Sequence, residues 1–445
     1  MITALKRYAS GVLATLIFVS CSSSGQYSVT DIEPKNTGGP NPLCGLALWQ
    51  TNPSIEKYSD AIQLEFSYFY YSDVASDNSS GGYVYDWSAI DEFLNKAKSR
   101  SHHGILRFRD TDPELGESDR SLPESLWTNI RSCDYYEGIE GAEKKRVSFP
   151  DWTNPAIPSF IKQFYAELAS RYPDQSTGLA YVEVGFGLWA EYHIDYDNLS
   201  AFSDPAITSS SAALGKLFPS RADQQSMLEE IGKSFNAIPW GISIDAADGD
   251  FSPYPDEAPS TSPSFGLFDD SLLNEDWPEY NKENWDFFAG RRTTGVNGGE
   301  ISYYTDHDQE TALSADGPHG LSLAETARMC NLSFAIADGQ TEYHAPQKIG
   351  EAGAALGYAL EIVDVDVSGR STLLVVRNTG VAKVPIELWA AIRSEHSLTS
   401  LKDLLPGESR ELRIPAELDS SDGLNFASPM LISGQTVGYA VGGND

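Results

Sequence analysis

The run Tyr181-Val182-Glu183-Val184-Gly185-Phe186-Gly187-Leu188-Trp189-Ala190-Glu191-Tyr192-His193 starts as β-type sequence, breaks at two glycines and then presents an acid and an imidazole among aromatics. Beside Trp189 and Tyr192, Glu191 would be partly desolvated, which raises a carboxyl pKa towards the value a general acid needs at neutral pH. The plainer alternative is that the aromatics cap a core and Glu191 pairs with an arginine. A second acid, Glu300, follows Asn297-Gly298-Gly299, where glycines permit close backbone approach. Two carboxyls across one groove could flank a glycosidic bond, with Glu191 as general acid/base and Glu300 as nucleophile or as base for water. A separation of roughly 5 Å would imply retention, and one of roughly 6.5 to 9.5 Å inversion. Taken alone, Gly-Gly-Glu is equally a turn with a solvated glutamate. Asp270 is the third acid: it binds a sugar hydroxyl, replaces Glu300 as partner acid, or joins Asp269 in capping a helix.

Around these acids stand residues suited to holding a sugar. Gln63, Glu65 and Ser67 alternate on one face of a β run, as do Arg107 and Arg109, and Glu183 lies in the adjoining run. A buried Arg107 between Glu65 and Glu183 is costly unless fully paired, so it is either structural or a device fixing substrate and acids. Trp189, Tyr192 and His193 are expected to contact the sugar, and Trp49, Trp189 and Trp240 to wall the cleft. The seven histidines show no HExxH or paired-ligand spacing. No GxGxxG follows a strand, and neither a Walker loop nor a GxSxG elbow is present, so neither metal nor cofactor is called for.

Positioning such residues requires a scaffold. The 445 residues suffice for a barrel of about 250 residues plus an accessory module. Eight β-branched or aromatic runs alternate with helix-like segments: Gly45 to Trp49, Ile62 to Tyr68, Gly104 to Arg109, Ala180 to Phe186, Ala237 to Ile244, Phe265 to Asp269, Gly299 to Tyr303 and Leu332 to Ile336. That alternation predicts an α/β fold, a (β/α)8 TIM-type barrel over residues 41–345. Helices are predicted at Ser88 to Ser99, Pro155 to Arg171 and Arg221 to Phe235, and the long loops 110–150 and 246–264 should build the cleft. After about residue 345 the pattern changes to alternating strands with turn dipeptides, predicting a small antiparallel β-sandwich over residues 350–445.

Lys6 and Arg7, then the apolar run from Gly11 to Val19, read as an export signal over residues 1–20. Phe18-Val19-Ser20-Cys21 resembles a bacterial lipobox, which implies lipidation of Cys21 and attachment to a membrane through the lipid alone; ordinary secretion is the alternative. Ser22 resembles an outer-membrane sorting signal. Residues 21–40 read as the lipidated cysteine and a flexible tether. The formal charge of -33 becomes -35 without residues 1–20, which hold two basic and no acidic side chains, so the acidity belongs to the rest of the chain and disfavours nucleic acid as a partner. Such a surface suits salty water, where a Debye length of roughly 4 Å screens self-repulsion, and a marine source is expected. Local arginines could still hold a sulfated or uronic substrate. Cys44, Cys133 and Cys330 allow one disulfide at most and read best as small buried hydrophobes.

Together, Asn41-Pro42-Leu43-Cys44-Gly45, Tyr85-Asp86-Trp87, Ile105-Leu106-Arg107-Phe108, Gly187-Leu188-Trp189-Ala190-Glu191-Tyr192-His193, Asp270 and Gly298-Gly299-Glu300 resemble a known family. It is an exported bacterial TIM-barrel family of unknown function, related to glycoside hydrolases. Its C-terminal β-sandwich carries an N-x-G-x-A-like segment, here Asn378-Thr379-Gly380-Val381-Ala382. The family more often has Gly at 190, Trp at 192 and a basic residue at 44. The resemblance implies a carbohydrate substrate, and by analogy with other barrel hydrolases transfers the acid/base and nucleophile roles to Glu191 and Glu300. Two further readings remain: a non-catalytic glycan-binding lipoprotein, which needs no acid pair, and a structural envelope protein, which needs no aromatic, acidic pocket.

Overall fold

The computed structural model describes residues 28–115, 119–136, 143–247, 249–259, 262–419 and 423–442. The export signal and Cys21 lie outside the described residues. Eight parallel strands close into a barrel in sequence order: β1 (Gly45–Trp49), β2 (Leu64–Tyr70), β3 (His103–Arg109), β4 (Leu179–Val184), β5 (Trp240–Ser243), β6 (Gly266–Leu272), β7 (Gly298–Ile301) and β8 (Phe334–Ile336). Each predicted run overlaps its strand, with the ends shifted by up to a few residues. Helices α1 (Ser88–Ser99), α2 (Ala156–Arg171) and α3 (Arg221–Ser234) cover the outside, each burying the apolar side of a 3.6-residue pattern.

Side chains alternate across the strands, and the inward set changes character along the barrel axis. The lower interior is apolar: Ala47, Phe66, Ile105, Tyr181, Phe334 and Ile336 belong to one buried cluster. Above it, at the C-terminal ends of the strands, lie Tyr68, Arg107, Glu183, Ser243, Asp270 and Glu300. The barrel is thus sealed from below and polar above, the face where barrel loops build sites.

The C-terminal part forms two sheets. In the first, β9 (Leu360–Ser368), β10 (Ser371–Asn378), β13 (Ser409–Ile414) and β15 (Tyr439–Val441) take the order β13-β10-β9-β15. The second has β12 (Glu395–His396), β11 (Trp389–Ile392) and β14 (Leu424–Ala427) in the order β12-β11-β14. Pairing is antiparallel except between β9 and β15, which run parallel. The cluster between the sheets runs into the lower barrel interior, so one apolar core spans both parts.

The Asn378-to-Ala382 segment is the joint. Asn378 donates to the carbonyls of Ala382 and Leu404 and accepts from the Ala359 and Gly380 amides, while the amides of Val381 and Ala382 reach the Gly357 carbonyl. Any side chain at Gly380 would meet the Gly357 carbonyl oxygen at 2.4 Å. Residues 28–40, expected to be a tether, instead pack: Val29 and Ile32 enter the sheet core and Lys35 pairs with Tyr439. Cys44, Cys133 and Cys330 are buried free thiols.

Candidate active site

One guanidinium organises the polar upper layer. Arg107 stands in register with Tyr68 of β2 and Glu183 of β4, so three inward side chains of adjoining strands meet at one level. Its Nε donates to Glu183 Oε2 at 2.8 Å, Nη1 to the Tyr68 hydroxyl at 3.0 Å and Glu191 Oε1 at 3.3 Å, and Nη2 to Asp270 Oδ1 at 2.6 Å. The Phe268 ring packs against it at 4.2 Å. Ser243 donates to Asp270 Oδ2 at 3.1 Å, and the Trp49 indole N–H to Glu300 Oε1 at 3.4 Å.

One cation therefore serves several carboxyls, and the cluster keeps protons. Burial pushes Glu300 up to about 8; Arg107 opposes that shift and Glu191 adds to it. Asp270 is driven well above the usual carboxylate range, first by burial, with Arg107 opposing and Glu191 and Glu183 reinforcing. His193 sits 3.5 Å from Glu191 Oε2 and 3.4 Å from Asp195 Oδ1. Burial would discharge the imidazole, yet Asp195 and Glu191 outweigh it and hold its pKa well above the ordinary range.

Glu191 is delivered by a loop folded tightly onto the end of β4. Trp189, Ala190 and Tyr192 have φ of 51°, 65° and 71°, left-handed values that non-glycine residues seldom take. A Cβ at Gly185 would lie 1.6 Å from the Ala190 carbonyl oxygen, so the two glycines of the run are required by backbone contact. Buried Asp110 accepts from the Gly187 amide at 2.9 Å, and the Trp189 amide donates to the Thr111 carbonyl at 3.0 Å. Burial lifts Asp110 to about 7 against the hydrogen bonds from Thr111 and Gly187.

Two cavities open on this layer. The larger, about 850 Å³, is bounded by Glu191, Asp270 and His193 with Tyr135, Tyr304 and Phe251; the smaller, about 360 Å³, by Glu191 and Glu300 with Trp49, Tyr68 and Arg109. Trp189, Glu191 and Tyr303 belong to both walls. The long loops after β3 and β5 contribute, through Tyr135 and Phe251.

Glu191, Glu300, Asp270, His193 and Trp189 are thus gathered where the sequence suggested. Other expected contacts are not. Arg107 is 1% exposed and lines neither cavity, so it holds the acids rather than the sugar. Tyr192 is fully buried against Phe186 and Phe218, because the positive-φ turn points it back into the core. Trp240 opens β5 at the far end of the barrel and packs between Phe265 and the α3 residue Gly232. Glu65 points outward to Arg100 and His102, away from Arg107. Asp269 accepts from both Trp277 and Trp285 indoles and from Asn281, fixing the outer layer. Asp195 and Asp245 were not singled out from the sequence; their signal is position, each two residues beyond a site residue, His193 or Ser243.

No family model matches the sequence, and no curated protein does; the resemblance to the exported barrel family rests on its motifs alone. Solved structures of similar layout include the catalytic domain of β-amylase from Paenibacillus polymyxa, with 10% identity and a TM-score of 0.43, covering 71% of this chain and 99% of that one. Endo-glycoceramidase II from Rhodococcus sp. has 9% identity and a TM-score of 0.39, covering 89% and 98%. The GH36 α-galactosidase AgaA from Geobacillus stearothermophilus has 10% identity and a TM-score of 0.33, covering 84% of this chain and 55% of that one. Likeness of this depth extends to layout and not to chemistry. The fold is a TIM-type barrel with C-terminal antiparallel sheets.

Proposed function

We propose that the chain is a glycoside hydrolase whose acid pair is Glu300 and Glu191. The observation that carries this reading is that both carboxyls line one aromatic-walled cavity in contrasting environments. Glu300 is buried, accepts a long indole hydrogen bond and is raised to about 8, as suits a proton donor to a leaving oxygen. Glu191 is held by Arg107 and His193 and faces both cavities, as suits a nucleophile or a base for water. These roles reverse those expected from the sequence. Asp270, bonded to the same guanidinium, is the alternative partner for Glu191.

The test is release of reducing ends from a panel of algal, plant and bacterial polysaccharides. Glu191→Gln and Glu300→Gln are each expected to lower kcat by ~100-fold or more with the melting temperature nearly unchanged. Full activity in either variant overturns the pair. One observation favours a non-catalytic glycan binder: Glu191 is engaged in an ion pair with Arg107, which could serve structure alone. Binding of glycans without turnover of any of them would uphold that second reading.

We also infer that the protein is exported and anchored through Cys21, supported by the lipobox-like run before it. Metabolic labelling with a radioactive fatty acid should mark the wild type and not Cys21→Ala. Labelling of both removes Cys21 as the point of attachment, and labelling of neither removes the anchor.

A further inference from the structure

The inner wall of the larger cavity is acidic, with Glu191 and Asp270 at its floor. Asp195, Asp197, Asp245, Asp250 and Asp276 continue that character outward, and among the described residues the lining contains neither lysine nor arginine. An acidic protein is expected to carry carboxylates on its outer surface, where water solvates them. In a concave wall the same charges repel one another in a poorer solvent, and a cleft focuses their field. The crowding registers at Asp270, whose pKa is driven up first by burial, with Arg107 opposing and Glu191, Glu183 and Asp245 adding to the rise.

The nearby cations are committed. Arg107 is saturated by Glu183, Glu191, Asp270 and Tyr68; Arg109 bonds Asp112 at 2.6 Å and lies over the Tyr68 ring at 3.4 Å. His193 is flanked by Glu191 and Asp195. Nothing in this wall therefore offers a free positive charge to a sulfate or a uronate. Among the described residues, no three His, Cys, Asp or Glu side chains are placed to share one metal ion, so the negative charge is spread along the wall rather than focused on a point. Spread charge suits a cation carried on an extended organic ligand. Asn274, 6% exposed in the same wall, leaves its Oδ1 without a hydrogen-bond partner, an acceptor that a donor-bearing ligand would complete.

We propose that the larger cavity binds a sugar unit bearing a protonated amine, an amino sugar with its nitrogen unacylated, in preference to neutral, uronic or sulfated units. This rests on reading the cleft as a carbohydrate site and names its substrate class. The amine would add positive charge to a wall whose one cation, His193, is already flanked by Glu191 and Asp195, and its N–H groups would donate to the carboxylates. The aromatic faces of Trp189 and Tyr303 would receive the apolar faces of the sugar rings.

Calorimetric titration of the full chain tests this with four oligosaccharides of equal length: a glucosamine oligomer at a pH where its amines are protonated, its N-acetylated form, a cello-oligomer and an oligogalacturonate. The amine oligomer should bind at least ~10-fold more tightly than the two neutral ones, and the oligogalacturonate least. Added salt should narrow the preference. Asp197→Asn combined with Asp276→Asn should reduce it severalfold, weakening binding of the amine oligomer more than that of the cello-oligomer, with the melting temperature nearly unchanged. Equal affinity for amine and neutral oligomers, or preference for the uronate, overturns the inference. A neutral glycan that is bound at least as tightly as the amine oligomer and cleaved overturns the inference but leaves hydrolysis standing. Amine-selective binding with no cleavage of any glycan upholds the inference and removes hydrolysis. Failure to bind any oligosaccharide overturns both.

Discussion

At the scale of single residues, Arg107 decides what the acids can do. A lysine in its place would carry the same charge but lack the planar fork that reaches Glu183, Glu191, Asp270 and Tyr68 from three nitrogens. With one positive charge among several carboxyls, full ionisation is disfavoured and a proton remains in the cluster. Glu300 is the best placed to hold it, since its contact with Trp49 is long and Arg107 binds other carboxyls directly. Its pKa is raised from 4.5 to about 8, so the donor is present below that pH and disappears as pH rises through it. If Glu300 is the acid, kcat/KM should fall on the alkaline side with an apparent pKa near 8, measured on any glycan the panel identifies. A rate that stays flat well beyond pH 8 would assign protonation to another group.

Among the elements, the loop from Gly185 to His193 bears the strain. Asp110 and Thr111, just past β3, grip its backbone, so two neighbouring strand ends jointly set where Glu191 lies. Ala190 has φ of 65°, a conformation that costs an L-residue about 1 kcal/mol and costs glycine almost nothing. The glycine expected at this position from the family resemblance thus has a physical reason. Ala190→Gly should raise stability by up to about 1 kcal/mol, part of the gain being offset by the freer unfolded chain, as read by chemical denaturation. A clear loss would mean that the methyl, which is fully buried, contributes more by packing than it costs in strain.

Strand order and the gathering of Glu191, Asp270 and Glu300 were legible because parallel strands joined by helices close in only a few ways. The facing of Trp240 was not: Ile238, Trp240, Ile242 and Ile244 share a run with glycine and serine, and strands covered on both sides lack a clear polar phase. Tyr192 escaped because the left-handed turn resets the alternation on which such reasoning depends. The packing of residues 28–40 escaped as well, since two apolar side chains, Val29 and Ile32, anchor a stretch otherwise rich in Gly, Asn and Pro.

Over the whole molecule, charge and core pull in opposite directions. The chain bears 64 acidic against 31 basic residues, and several of the basic ones are spent inside the barrel, as Arg107 is, or on buried acids, as Arg100 is on Glu65. The outer surface is left with a large uncompensated negative charge that favours expansion over compactness. The opposing force is the apolar core shared by the lower barrel and the C-terminal sheets, which does not depend on counter-ions. Screening should therefore stabilise the protein markedly. The melting temperature is expected to rise by several degrees between roughly 0.05 and 0.5 M sodium chloride, then flatten as the Debye length shrinks to roughly 4 Å. Sulfate strengthens apolar burial in any protein, so the informative salt is chloride, compared with an uncharged osmolyte at equal osmolality. If the osmolyte raised the melting temperature as much as the chloride did, self-repulsion would not be what limits this fold. The short ion pairs at the surface, such as that of Lys282 with Asp286, would then have to absorb more of the charge than pairs exposed to water ordinarily do.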